Sequence, residues 1–366
     1  MKIFLAATSL RPAYGGPAFS VSRLASALTQ AGAEVGLWAA DQSAASTSML
    51  PRESAVRRLT GPLAQAWAAF GKSDILHDNG LWLPHNHRLA TFAARQGIPR
   101  VVSTRGMLEP WAMQHKRWKK TIAWRLYQRR DLIRALCHHV TADAEGANLL
   151  RLGLGVPVRM IPNGVDVPPL GAERSADRRG NAVRKGQRIA LFLGRIYPVK
   201  GLPMLVEAWA RVRPQGWELR IAGPDEAGHR AQLENAVSAA GLDGVVSFPG
   251  PLEGQDKMSA FLDADVFVLP THSESFGMVV AEALAHGLPV LTTTGAPWPM
   301  LLERDCGWRV DTTVDGIEAG LRRATSCDGE VLQAMGARGR QLVAERFGWE
   351  HVAKEFLHLY GEMLAR

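Results

Sequence analysis

The stretch VLPTHSESFGMVVAEALAHGLPVLTT, Val268 to Thr293, contains a short apolar strand, a polar break, an apolar helix and a second strand. Asp265 to Leu269 reads as the first strand, and Pro270 to Ser275 cannot continue it. A helix is expected from near Phe276, with Gly277 in its first turn, where a ligand can approach the backbone. The early amides of a helix lack internal partners, and that end attracts anions. Glu274 stands just ahead of this turn, placed to meet the hydroxyls of a ligand whose phosphate sits on the amides. Glu282 follows about two turns further on, among Met278, Val279, Val280, Ala283 and Leu284, where a carboxylate is costly unless it finds a donor. Taken alone, the two glutamates read equally well as a helix-end charge and a solvated residue.

A second cluster in the same half of the chain shifts that balance. The apolar run RIALFL, Arg188 to Leu193, opens into Gly194, Arg195, Pro198, Lys200 and Gly201, and a periodic helix follows from Pro203. A planar guanidinium and a mobile ammonium at the carboxyl end of a strand suit a pyrophosphate.

In GRIYPVKG (194 to 201), ESFGMVVAE (274 to 282), ALAHGLPVLTT, IPNGVD (161 to 166) and YGGPA (14 to 18), the chain resembles the retaining nucleotide-sugar glycosyltransferases of family 4. The resemblance spans nearly the whole chain and implies the GT-B architecture, two Rossmann-like doubly wound α/β domains facing across a cleft. An acceptor-binding domain is expected over residues 1–167, with a last helix at about 350–366 packing back on it. A nucleotide-sugar domain is expected over 168–349. The alternation of strand-like runs with helix-like ones agrees: KIFLAA, EVGLWAA, DILHD, RVVST, HHVTA and RMIPN, then IALFLG, WELRIAG, VVSFPG, DVFVLP and PVLTT.

The resemblance further implies a division of labour. Arg195 and Lys200 would lie on the leaving pyrophosphate, and Glu274 would hold sugar hydroxyls near the reacting carbon. These three are the catalytic candidates. Glu282 would accept from the ribose hydroxyls. Gly194 and the turn of Ser275, Phe276, Gly277, Met278 and Val279 complete the donor site, and Gly15 and Gly16 would let the backbone close on the same phosphates. No metal or other cofactor is expected, because the two cations supply the counter-charge. Family members often carry a histidine where this chain has Arg105, and His77 precedes Asn79 where a second histidine is expected. The acceptor-side candidates are therefore His77, Asn79, Arg105, His115 and Lys116, with Arg105 open to an acceptor phosphate or to the donor. The run STRGMLEPWAM followed by HKRWKK resembles enzymes that build bacterial O-antigen or exopolysaccharide. The implied reaction is transfer of a hexose from a UDP- or GDP-sugar, with GDP-mannose-like donors preferred, to a saccharide or undecaprenyl-diphosphate-linked acceptor.

The chain of 366 residues carries a net charge of +8; residues 1–165 hold 21 Lys and Arg against 9 Asp and Glu, and the rest 22 against 26. Much of the excess lies between Arg105 and Arg134, where cations alternate with Trp111, Trp118, Trp124 and Tyr127. Such a segment suits an anionic membrane surface, although a solvated helix with its Trp residues turned to the core has the same pattern. It also supports a rival class, a non-catalytic module for nucleic acid or anionic surfaces. No recognition motif accompanies it, so no nucleic-acid partner is expected. A GT-B sugar-nucleotide epimerase is the other alternative. A dinucleotide oxidoreductase fits poorly, since YGGPA lacks the three-glycine pattern. MKIFLAA is too short for a leader and reads as the first strand. Cys137, Cys306 and Cys327 lack metal-ligand spacing. A cytoplasmic location is expected, with peripheral contact on the inner face of the plasma membrane.

Overall fold

The computed structural model describes residues 1–365 except Arg52, His115, residues 169–186 and Ala227. The chain divides into two compact units, Met1–Gly164 with Phe347–Arg366, and Val165–Arg346.

The first unit holds seven strands: β1 (Lys2–Ala7), β2 (Glu34–Ala39), β3 (Arg57–Leu59), β4 (Ile75–Asn79), β5 (Arg100–Ser103), β6 (Cys137–Val140) and β7 (Val158–Met160). They form one parallel sheet in the order β3-β2-β1-β4-β5-β6-β7. Parallel neighbours require crossovers, and helices such as Gly16–Gln30 and Pro84–Gln96 supply them. Because side chains alternate along a strand, Ile3 and Leu5 of β1 enter one core and Phe4 and Ala6 the other. The first core is completed from the far end of the sequence, by Val352, Phe356 and Tyr360 of the helix Trp349–Leu364. Beside that helix, Gly164 lies so close to Trp349 that a Cβ there would sit 2.3 Å from the indole ring.

The second unit repeats the plan with β8 (Arg188–Leu193), β9 (Trp217–Ala222), β10 (Val246–Gly250), β11 (Val266–Leu269), β12 (Val290–Thr293) and β13 (Gly307–Val310). Its parallel order is β10-β9-β8-β11-β12-β13. Strand order reverses between β1 and β4 in one sheet and between β8 and β11 in the other. In such sheets ligands bind outside the carboxyl ends of the strands, at the reversal. The expected class, two doubly wound α/β units, is therefore the observed one. Among the described residues no helix is long and apolar enough to cross a membrane.

Candidate active site

In the second unit the loops that follow β8 and β11 are pressed together. Gly201 has φ +67°, and a Cβ there would lie 2.1 Å from the Pro270 carbonyl oxygen, so the approach requires glycine. The Val199 carbonyl accepts from the His272 N–H at 2.8 Å and from Thr271 Oγ1 at 3.1 Å. This union carries Lys200 onto Glu274. Its Nζ donates to Oε1, and each side chain is only 14% exposed. The Glu274 N–H is bonded to the Gly295 carbonyl at 2.9 Å.

The helix begins two residues later than Phe276, at Met278, because Gly277 adopts φ +80° and caps it. Phe276 is buried against Trp298, whose indole N–H donates to the Phe276 carbonyl at 2.6 Å. That bond fixes the peptide leading into Gly277 and Met278, whose N–H groups open the helix and have no partner within it. Ser275 is exposed, while Met278 and Val279 are half-buried. Glu282 lies on the same helix and accepts from Lys257 Nζ at 2.7 Å. Lys257 comes from the neighbouring helix Gly254–Asp263. Near Gly194, a Cβ on Gly223 would fall 1.8 Å from the Gly194 carbonyl oxygen. Arg195 turns outward to Glu226, with Nη1 at 3.0 and 3.2 Å from its oxygens. Of the charged donor-side candidates the structure thus joins Lys200 to Glu274 directly, and gives Arg195 and Glu282 the separate partners Glu226 and Lys257, which sequence reading did not name.

In the first unit Gly15 and Gly16 are exposed at the head of the helix Gly16–Gln30, and a Cβ on either would meet nothing within 4 Å. His77 is corrected. It is fully buried, its Nδ1 is paired with the Tyr360 hydroxyl at 2.6 Å and its Nε2 with Ser103 Oγ at 2.7 Å, so the ring cannot meet an acceptor. The chain continues from Ser103 Oγ to His139 Nδ1 at 2.7 Å, and from His139 Nε2 to the Ile161 carbonyl at 2.8 Å. Burial holds these rings neutral: His77 lies well below its usual pKa and His139 is pushed down to about 3. Asn79 is buried too, its Nδ2 donating to the Ala6 carbonyl at 3.2 Å and its Oδ1 accepting from Arg105 Nη2 at 2.7 Å. Arg105 is half-buried and left-handed, φ +51°. Its loop is pinned by buried Glu145, which accepts from Thr104 Oγ1 at 2.6 Å, Gly106 N at 2.5 Å and Thr141 N at 2.9 Å. Glu145 gave no signal in the sequence beyond an acidic residue in a helix's first turn. His115 falls outside the described residues, and Lys116 is exposed at the head of the helix Arg117–Ala123.

The basic segment splits its aromatics. Trp124 packs on Trp82 and Tyr127 donates to the Trp82 carbonyl, whereas Trp118, Ile122 and Leu126 are 66%, 50% and 69% exposed.

Two doubly wound units, each with loops gathered at the reversal of its sheet, define a GT-B protein. Solved structures of that fold superpose on the whole chain: a sucrose-phosphate synthase from Thermosynechococcus elongatus (TM-score 0.77, 22% identity, 100% of this chain and 99% of that one) and Anabaena HepE with UDP and glucose (0.73, 18%, 99% and 100%). Residues 173–342 match the description "Glycosyl transferases group 1" and residues 15–164 "Glycosyl transferase 4-like domain". A D-inositol 3-phosphate glycosyltransferase from Saccharomonospora viridis is 32% identical over 242 residues, 62% of this chain and 55% of that protein. The chain belongs to the group 1 glycosyltransferases, and it spans about half the length of the curated relatives it matches.

Proposed function

We propose that this protein transfers a hexose from a UDP- or GDP-sugar, with retention at the anomeric carbon, to a saccharide carried on an undecaprenyl diphosphate lipid during assembly of a bacterial surface polysaccharide. The observation that carries the reading is the Lys200–Glu274 pair where the sheet order reverses, beside the open helix end at Gly277 and Met278. Lys200, joined by Arg195, stabilises charge growing on the diphosphate as the glycosidic bond breaks. Glu274 accepts from sugar hydroxyls and Glu282 from the ribose. The acceptor oxygen bonds to the anomeric carbon as the carbon–oxygen bond to the diphosphate breaks, and its proton passes to a diphosphate oxygen. No protein base and no divalent metal is needed, so chelation is expected to leave the rate unchanged. The exposed Trp118, Ile122 and Leu126 among cations support peripheral docking on the inner face of the plasma membrane.

The test is a thermal-shift panel of UDP, GDP, ADP and their sugar conjugates. HepE, solved with UDP, puts uridine first. One nucleotide is expected to stabilise the protein and to lose that effect in Arg195→Ala and Glu282→Ala. An unchanged melting temperature with every nucleotide would refute the proposal.

A further inference from the structure

Among the described residues, burial lowers the pKa of two arginines, Arg100 and Arg105 of the first unit, and they are treated differently. Arg100, 5% exposed, is paired with the Asp78 carboxylate at 3.1 Å. Arg105 has only neutral acceptors: Asn79 Oδ1 at 2.7 and 3.3 Å, Asn163 Oδ1 at 2.7 Å and Ser20 Oγ at 3.3 Å. Among the described residues no carboxylate lies within ion-pair distance of it. The nearby acid, Glu145, spends its oxygens on Thr104, Gly106 and Thr141. Burial lowers the Arg105 pKa to about 10, with Glu145 opposing, so the side chain keeps its charge at neutral pH.

An uncompensated, partly desolvated cation is costly. These four bonds leave one Nη2 hydrogen unused, and the 3.3 Å bond to Ser20 is long enough to be exchanged. The position is also the one where ligands gather in this kind of sheet. Asn79 ends β4, Arg105 follows β5, and Ser20 lies in the second turn of the helix that follows β1.

We propose that Arg105, with Ser20 and Asn163 beside it, is an oxyanion site that takes a phosphoryl group of the acceptor. The assignment to the acceptor rests on the transferase reading; the site itself does not. Asn79 holds the guanidinium plane from behind through two of its N–H groups, which leaves the remaining edge to a phosphoryl oxygen in the geometry a planar fork favours.

The test titrates the full chain with inorganic phosphate against sodium chloride of equal ionic strength and reads the melting temperature. Wild type is expected to show a saturable rise, part of which survives in Lys200→Ala, because the donor-side cation takes phosphate too. In Arg105→Met the midpoint is expected to move to about tenfold higher phosphate or more, the loss of a charge-assisted bond, and in Arg105→Lys to fall between. An unmoved midpoint in Arg105→Lys and Arg105→Met overturns the site, as does a loss confined to Lys200→Ala or a wild type indifferent to phosphate. Should Arg105→Met not fold, Arg105→Lys decides. Mannose 6-phosphate and vesicles bearing undecaprenyl phosphate, each against its phosphate-free counterpart, then compete for the site. Competition by the first names a soluble acceptor, by the second a lipid-linked one, and by neither removes the acceptor assignment. The nucleotide panel above reads other residues, so failure of the transferase reading is scored separately.

Discussion

Lys200 and Glu274 satisfy each other across 74 positions of sequence; on the proposed reading, a diphosphate that draws Lys200 away also frees Glu274 for sugar hydroxyls. The two donor-side roles should separate in kinetics. If Lys200 faces the charge that grows on the diphosphate, as proposed, Lys200→Ala is expected to lower kcat by roughly 10²–10³. On the proposed reading Glu282 meets the ribose, a part of the donor that does not change, and Glu282→Gln is expected to raise KM about tenfold while kcat holds. Steady-state rates with the donor named by the thermal panel check both, and an unchanged kcat in Lys200→Ala would remove it from the chemistry. Arg195, Lys200 and Glu274 were legible because they lie in glycine-bearing loops that follow strand runs, and Glu282 because it is an acid among the apolar residues of a helix. Their partners were not. Lys257 and Glu226 are ordinary surface charges in sequence, and only folding brings them to Glu282 and Arg195. His77 misled for the same reason, since the hydroxyl that occupies it belongs to Tyr360, 283 residues away.

At the level of elements, apolar runs such as KIFLAA and IALFLG became β1 and β8 because parallel strands covered on both faces need continuous apolar residues. The two strands without such a signal are at sheet edges. β3 is the sequence RRL with both arginines exposed, and β13 is GWRV with its last three residues half-buried. Loop geometry was legible only in part: GRIYPVKG announces a turn, but not that Gly201 abuts Pro270. Gly201→Ala is expected to cost about 1–3 kcal/mol by forcing those loops apart, with nucleotide affinity falling alongside the melting temperature. A variant as stable as wild type would show that the loops separate freely. The helix Arg117–Ala123 and the π-helical turn Trp124–Gln128 beyond it make a different prediction. Trp118→Asp with Leu126→Asp changes only exposed positions, so stability is expected to stay within about 0.5 kcal/mol while sedimentation with anionic vesicles is lost. Retained sedimentation would show that Trp118 and Leu126 do not carry the proposed contact.

For the whole molecule, the polar ladder beneath the first sheet sets an acid limit. His77, His138 and His139 are held neutral by burial, with His138 at about 4 and His139 at about 3 against an ordinary 6.5. A ring whose folded pKa is depressed stabilises fully above its unfolded value, and that stability declines as pH falls from 6.5 towards the folded pKa. Each contributes roughly 1.4 kcal/mol per pH unit across its window. Asp78, raised to about 6 by burial, and Glu109, raised by the same cause, work the other way, but His85 and His286 are lowered as well, so the histidines outnumber the two acids. The melting temperature is therefore expected to fall steadily from pH 7 to pH 4, and a flat profile would mean that the rings are reached by solvent. Nothing in CHHV or DILHD distinguishes such rings from ligand-binding ones, because burial is a property of the assembled sheet. That assembly has an order in time. The second unit is one uninterrupted piece of chain, whereas the core around Ile3 and Leu5, packed locally by Val21, Leu24 and Leu28, is completed only when Phe347–Arg366 adds Val352, Phe356 and Tyr360 and brings Tyr360 to His77. At translation speeds of roughly 5–20 residues per second, the amino-terminal core stands incomplete for about ten seconds or more after its own strands have been made. The first unit is thus made before the second but finished after it, and throughout that interval the apolar surface later covered by Val352 and Phe356 is open to water and to a chaperone.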